Sequence, residues 1–210
     1  VPGGDIAVLQ PGATDPRRRW SHQRFAALGD ALAAAGASVV VQGGPDERAL
    51  TAAVVQAMRR PALDAGGRLS LSGLVALLAQ ARLVVSNDTG PLHLADAVGT
   101  PTVGIYWHTN ALVSAPTSSP RHRYAVSHRL HCPVCGAENV TARCAHDPSF
   151  VDDVPVEEVL SLALRSWQAC DGRAAPPPAA APRSGARRPD PKRPDAARHP
   201  AGPSDPTRMP

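Results

Sequence analysis

VVSNDTGPLHLADAVGTPTVGIY, residues 84–106, is the stretch that decides how the chain folds. With Leu83 before it, it opens on a short apolar run that suits a strand buried on both faces. The run empties into Asn87-Asp88-Thr89-Gly90. Pro91 then fits the first turn of a helix, where its missing amide hydrogen costs nothing, and Gly99 fits the helix end. Thr102 to Tyr106 returns to strand character. Strand, tight turn, helix and strand in this order make a βαβ unit with parallel strands.

The same alternation continues in both directions. Upstream, Ile6 to Gln10 reads as a first strand, followed by the loop PGATDPRRRW. Ser21 caps a helix with Phe25, Leu28, Leu32 and Ala35 on one face, ending at Gly36. Val39 to Val41 is a second strand, stopped by Gly43-Gly44-Pro45, and Asp46 and Glu47 open a helix that runs to about Met58. Leu63 to Gly66 is a short strand, and Ser72 caps a third helix through Gln80. Downstream, residues 109–150 read as irregular, and Pro155 to Ala169 as an amphipathic helix with Leu160, Leu164 and Trp167 inward. The fold class is therefore α/β, a doubly wound parallel sheet over residues 1–170. Ligands in such sheets bind beyond the carboxyl ends of the strands, here the loops after residues 10, 42 and 86.

Charge and composition narrow the function. The chain has 210 residues with 22 Lys or Arg and 18 Asp or Glu. Residues 171–210 hold eight of the cations and four of the acids, so residues 1–170 carry fourteen of each and are neutral. The last forty residues contain eleven prolines and no Ile, Leu, Val, Phe, Trp or Tyr, which predicts a disordered Pro/Arg/Ala-rich tail. A neutral core with seven aromatic residues in the whole chain disfavours a base-stacking surface, so no specific nucleic acid is expected as a partner. No apolar run approaches the roughly 18 residues of a membrane span. Four cysteines and no signal-like start predict a cytoplasmic protein, and the first residue, Val1, is not a methionine, which implies residues upstream.

Three constellations carry the chemistry. At Asp88-Thr89-Gly90 unpaired helix-start amides and the positive end of the helix dipole favour an anion; Thr89 adds a hydroxyl, Gly90 allows close approach, and His93 follows one turn on. The alternative is that Asp88 only caps the helix and His93 is a surface residue. In residues 11–20, Thr14 offers a hydroxyl and Arg17, Arg18 and Arg19 offer cations, of which at most one or two can turn inward to clamp a diphosphate; the alternative is a charge run that is a solvated face. Glu47, at a strand end, suits ribose hydroxyls or, equally, helix-start stabilisation.

Together LQPGATDPRRRW, VVVQGGPDE and LSLSGLVALLAQARLVVSNDTGPLHLADAVGTPTVGIYW resemble, in order and spacing, glycosyltransferase family 9, the lipopolysaccharide heptosyltransferases. The resemblance covers about residues 6–170. It implies one Rossmann-like half of a GT-B fold, the carboxyl-terminal half that holds a nucleotide-diphosphate-sugar donor. It implies diphosphate contacts from Thr14, Arg18, Asp88, Thr89, Gly90 and His93, and nucleoside contacts near Glu47 and Leu69. Arg18 stands where the family often has lysine. The implied reaction is inverting transfer of a heptose from ADP-heptose to a lipopolysaccharide-core or related glycan acceptor, with no cofactor required. The general base is expected in the amino-terminal half, absent here, so no catalytic residue is assigned and this chain alone is expected to bind donor without turnover. The acceptor is expected at the inner face of the cytoplasmic membrane. A stand-alone nucleotide-sugar-binding module without catalysis is the alternative, and a degenerate homologue acting through its cysteine segment and basic tail is a third reading.

Cys132-Pro133-Val134-Cys135, Cys144 and His146 offer four soft or borderline ligands within fifteen residues, in a stretch poor in core residues. That suits a structural zinc, with His128 and His131 as competing ligands; reduced thiols or a redox-labile pair are the alternatives. Cys170 reads as unpaired.

Overall fold

The computed structural model describes residues 5–116, 119 and 121–169. The expected tail, 171–210, and Cys170 lie outside the described residues. Along the chain run β1 (Ile6–Gln10), α1 (His22–Ala34), β2 (Ser38–Val41), α2 (Arg48–Ala57), β3 (Ala62–Asp64), α3 (Leu71–Gln80), β4 (Leu83–Asn87) and α4 (Gly90–Ala97). There follow β5 (Thr102–Trp107), α5 (His108–Ser114), β6 (His122–Ser127) and α6 (Val156–Gln168). The six strands form one sheet in the order β3-β2-β1-β4-β5-β6, every neighbouring pair parallel.

Alternation along each strand builds two cores. Ala7, Leu9, Val39, Val41, Leu83 and Val85 face α1, α2 and α6, where Trp20, Phe25, Leu28, Val54, Val159 and Trp167 are buried. Ile6, Val8, Val40 and Val84 face the other way onto Leu74, Leu78 and Ala95 of α3 and α4. Both faces are covered, which is why these strands are near-continuous apolar runs. Trp20 closes the first core: it is fully buried, its ring meets Phe25 edge-on, and its indole N–H donates to the Val154 carbonyl at 2.9 Å.

The structure departs from the expectations in four places, the mildest being β3, which is Ala62–Asp64 rather than Leu63 to Gly66. Residues 109–150 are not uniformly irregular, since they contain most of α5 and the whole of β6. β6 is an edge strand whose His122, Arg123 and Tyr124 dilute the apolar signal, and its buried positions include His122 and Ser127. The third helix is capped by Ser70, whose Oγ accepts from the Gly73 amide at 3.2 Å; Ser72 lies inside the first turn. A cap must precede the amide it satisfies by two or three residues, and Ser70 has that spacing. The segment after Gly44 starts as a 3-10 turn, Pro45–Glu47, before α2.

Candidate functional site

The strand order reverses between β1 and β4, and a crevice opens there beyond their carboxyl ends. Its volume is about 520 Å³, and Thr14, Arg18, Asp88, Thr89, Gly90 and His93 line it with Thr109, Asn110, Val113 and Ser114. Six of the eight expected donor-site residues are thus in one place. The lining from α5 was not legible in the sequence, because α5 itself was not.

The β4 end is held by Asn87. This fully buried side chain accepts the Trp20 amide at 3.1 Å and donates to the Pro11 carbonyl at 2.7 Å, tying the loop after β1 to the end of β4. The β4 to α4 passage is tight: the Asp88 amide donates to the Ile105 carbonyl at 3.1 Å, and α4 begins two residues later. Thr89 is the N-cap, yet its side chain makes no capping bond; its hydroxyl lies 3.2 Å from that of Ser86. Among the described residues nothing accepts from the amides of Thr89 and Gly90, and Pro91 has none. A Cβ built on Gly90 would meet no atom within 4 Å, so the space above it is open. Free donors, helix dipole and open space coincide at the crevice floor.

Asp88 is largely buried and its carboxylate is fully engaged. It accepts from Arg18 Nη1 at 3.2 Å, lies 3.2 Å from His93 Nε2 and accepts from Ser114 Oγ at 3.2 Å. It neither simply caps α4 nor leaves His93 an isolated surface residue. Arg18 reaches it from the 3-10 turn Pro16–Arg18, which Asp15 caps by accepting the Arg17 amide at 3.0 Å. Of the three arginines only Arg18 enters the crevice. Arg17 forks onto Asp15, with Nη2 to Oδ2 at 2.7 Å, and Arg19 donates to the Ala13 carbonyl at 2.8 Å. Burial works against the Asp15 carboxylate, but the Arg17 side chain and amide hold its pKa below the usual value.

Glu47 and Leu69 do not line the crevice. Glu47 Oε2 accepts the Gly44 amide at 2.8 Å and Gln10 Nε2 at 3.3 Å, closing the loops after β1 and β2. It lies so close to Gly12 that a Cβ there would sit 1.9 Å from its Oε1, so a larger residue at 12 would push the Glu47 carboxylate from this position. The loop after residue 42 therefore sits beside the crevice rather than in it. Gln10 and Gln42 carry no signature in the sequence, yet their buried Oε1 atoms have no hydrogen-bond partner among the described residues. Leu69 lines a separate, apolar hollow of about 250 Å³ with Val40, Leu63, Ala65 and Leu77.

Away from the crevice, Cys132, Cys135, Cys144 and His146 converge, their ligand atoms all within 4.8 Å of one another. This quartet could hold a metal ion; His128 and His131 are not part of it, the His128 ring lying 5.5 Å from that of His108 at a tilt of 49° and His131 forming an antiparallel backbone bridge with Glu138. Gly136, at φ +73°, turns the chain so that its amide donates to the Cys132 carbonyl at 2.8 Å while the Val134 amide points to Cys132 Sγ at 3.4 Å. The Cys144 thiol is held well below its ordinary pKa by Asn139 Nδ2, which donates to its sulfur at 3.3 Å, and by the backbone at His146.

A six-stranded parallel sheet covered on both faces, with a donor-lined crevice where its order reverses, defines a Rossmann-like α/β domain. The family model of glycosyltransferase family 9 (heptosyltransferase) matches residues 3–143, and the chain belongs to that family. Lipopolysaccharide heptosyltransferase 3 of Escherichia coli is 32% identical over 120 residues, 56% of this chain and 35% of that protein. The chain thus spans about a third of the length of the curated relatives it matches. A family 9 glycosyl transferase from Veillonella parvula superposes with a TM-score of 0.66 at 23% identity, covering 79% of this chain and 46% of that one. The E. coli heptosyltransferase WaaC with ADP superposes with a TM-score of 0.50 at 25% identity, over 59% of this chain and 38% of that one.

Proposed function

We propose that the crevice holds the diphosphate of a nucleotide-diphosphate sugar of the ADP-heptose kind, for inverting transfer of the sugar to a lipopolysaccharide-core or related glycan acceptor. One observation carries the reading: the acceptor-free amides of Thr89 and Gly90 at the start of α4, beside Arg18, His93 and Thr14. The solved relative with ADP supports the choice of nucleotide.

In such a transfer an acceptor hydroxyl oxygen bonds to the anomeric carbon and the bond from that carbon to the β-phosphate oxygen breaks. The electron pair leaves on the phosphate, so negative charge grows there. Amides already aimed at that charge, a helix dipole and one guanidinium stabilise it without reorganisation. Asp88 does not take the proton. Its carboxylate is spent on Arg18, His93 and Ser114, and it orients those donors toward the phosphates. The base that takes the hydroxyl proton, and the acceptor site, belong in this reading to a facing amino-terminal domain of a GT-B arrangement. This chain then binds donor but does not turn it over unaided.

The nucleoside runs across the ends of β1 and β2, where Glu47 Oε1 is left for ribose hydroxyls, toward the apolar hollow beside Leu69. No metal is needed at the leaving group, and the Cys132, Cys135, Cys144 and His146 quartet takes a structural zinc. No helix among the described residues is long and apolar enough to cross a membrane. We place the protein in the cytoplasm, at the inner membrane face where a glycolipid acceptor is presented. Calorimetric titration of the chain with ADP, UDP and GDP tests the reading. ADP binding that Arg18→Ala weakens supports it, and no heat with any of the three rejects it.

A further inference from the structure

We infer that the metal-loaded cysteine knuckle is the strut that fixes the Arg17–Arg18 turn at the crevice, so that metal occupancy and diphosphate affinity are linked. The inference rests on the zinc assignment above. Three thiol sulfurs and an imidazole within 4.8 Å of one another need only a small closing movement to reach the sulfur separations of about 3.8 Å that zinc–sulfur bonds of about 2.3 Å impose.

What makes the knuckle more than a local staple is Asn139. It is buried, and every polar atom of its side chain is used. Nδ2 donates to Cys144 Sγ at 3.3 Å and to the Ala137 carbonyl at 3.1 Å. Oδ1 accepts the Cys144 amide at 3.3 Å and Arg17 Nη1 at 3.4 Å. Asn139 therefore touches a metal ligand with one end and the crevice turn with the other, the arrangement by which groups behind a metal ligand orient it. Arg17 is held on other sides too. Its guanidinium carbon lies 5.5 Å from the Trp107 ring centroid, and its carbonyl accepts the Phe150 amide at 2.7 Å. The next residue is Arg18, which faces Asp88 and the crevice.

The segment around the quartet is thinly held. Pro133, Val134, Cys135, Gly136, Ala137, Glu138 and Val140 to Arg143 are all exposed; it meets the hydrophobic core through Cys132 and Cys144, themselves two of the quartet, and the Asn139 amide donates to the Leu130 carbonyl at 2.9 Å. A metal that joins Cys132 and Cys135 to Cys144 and His146 supplies the missing constraint. Without it, Asn139 is free to leave Arg17, and the turn that presents Arg18 loosens. Asn139 and Arg17 are positioning residues; neither lines the crevice.

The test uses the full chain, metal-loaded and after chelation, with three readouts. Metal analysis should give one zinc per chain, and cobalt(II) in its place should show thiolate charge-transfer absorption of a tetrahedral site. Hydrogen exchange at the amides of Arg18, Arg19 and Phe150 should quicken by about tenfold or more when the metal is removed and recover when zinc is restored. ADP affinity should fall about five- to tenfold on chelation, and by a similar factor in Asn139→Ala, which keeps its zinc. A chain that takes up neither zinc nor cobalt overturns the zinc assignment. Zinc bound with exchange at those amides unaltered by its removal overturns the strut. If ADP fails to bind in any state the donor-site reading falls, while the exchange data still decide the strut.

Discussion

Asn87 and Thr89 are two residues apart and do opposite work. Asn87 is spent on the fold, bonding the Trp20 amide and the Pro11 carbonyl in the interior. Asn87→Ala leaves both groups buried without partners and should cost about 2–4 kcal/mol of stability by urea denaturation. A loss under about 0.5 kcal/mol would mean that the β1 and β4 loops are not joined through it. Thr89 is left for the proposed donor site. Because its hydroxyl caps nothing, Thr89→Ala should change stability by less than about 0.5 kcal/mol, while diphosphate affinity falls by about 1–2 kcal/mol. The motif made the proposed anion site legible, but it could not separate these roles. Both residues read as turn formers, and only the distance from Asn87 to a loop 67 residues earlier in the chain assigns it to the interior.

At the scale of elements, what the sequence revealed followed burial. Strands covered on both faces, β1, β2, β4 and β5, stand out as apolar runs, whereas β6 at the edge carries His122 inward against Thr102 and Tyr106. Burial lowers the His122 pKa below its usual 6.5. The unfolded chain therefore takes up that proton more readily than the folded one. The stability tied to neutral His122 is complete above about pH 6.5 and is lost as pH falls from there through the lower folded value. Denaturant midpoints measured from about pH 8 to about pH 5 should drop less in His122→Gln than in the parent chain; parallel curves would contradict this. β5 meets α4 just as tightly. A Cβ on Gly104 would lie 2.3 Å from the Tyr106 ring and 2.9 Å from Leu92, both fully buried, so Gly104→Ala should cost about 1–3 kcal/mol through overpacking. An unchanged midpoint would show that the Tyr106 ring can move aside.

For the whole molecule, a sheet reversal, a helix start and a salt-bridged turn meet at one crevice, the proposed anion site, and that conjunction belongs to no single segment. Thr14 and Arg18 arrive after β1, Asp88 to His93 after β4, and Thr109 to Ser114 after β5. The loops after residues 10 and 86 were legible as neighbours because parallel β1 and β4 must be adjacent at the reversal. The α5 wall was hidden because a seven-residue helix with Leu112 and Val113 exposed has no apolar stripe to read. What stands or falls is the proposal that backbone amides at the start of α4 receive the diphosphate. Nitrogen-15 NMR of the chain titrated with ADP reads those amides one by one. The Thr89 and Gly90 amide resonances should move together, saturably, and by more than those of Leu160 and Leu164 in α6, which line neither the crevice nor the apolar hollow. Saturable binding that leaves Thr89 and Gly90 in place and shifts other amides would contradict it.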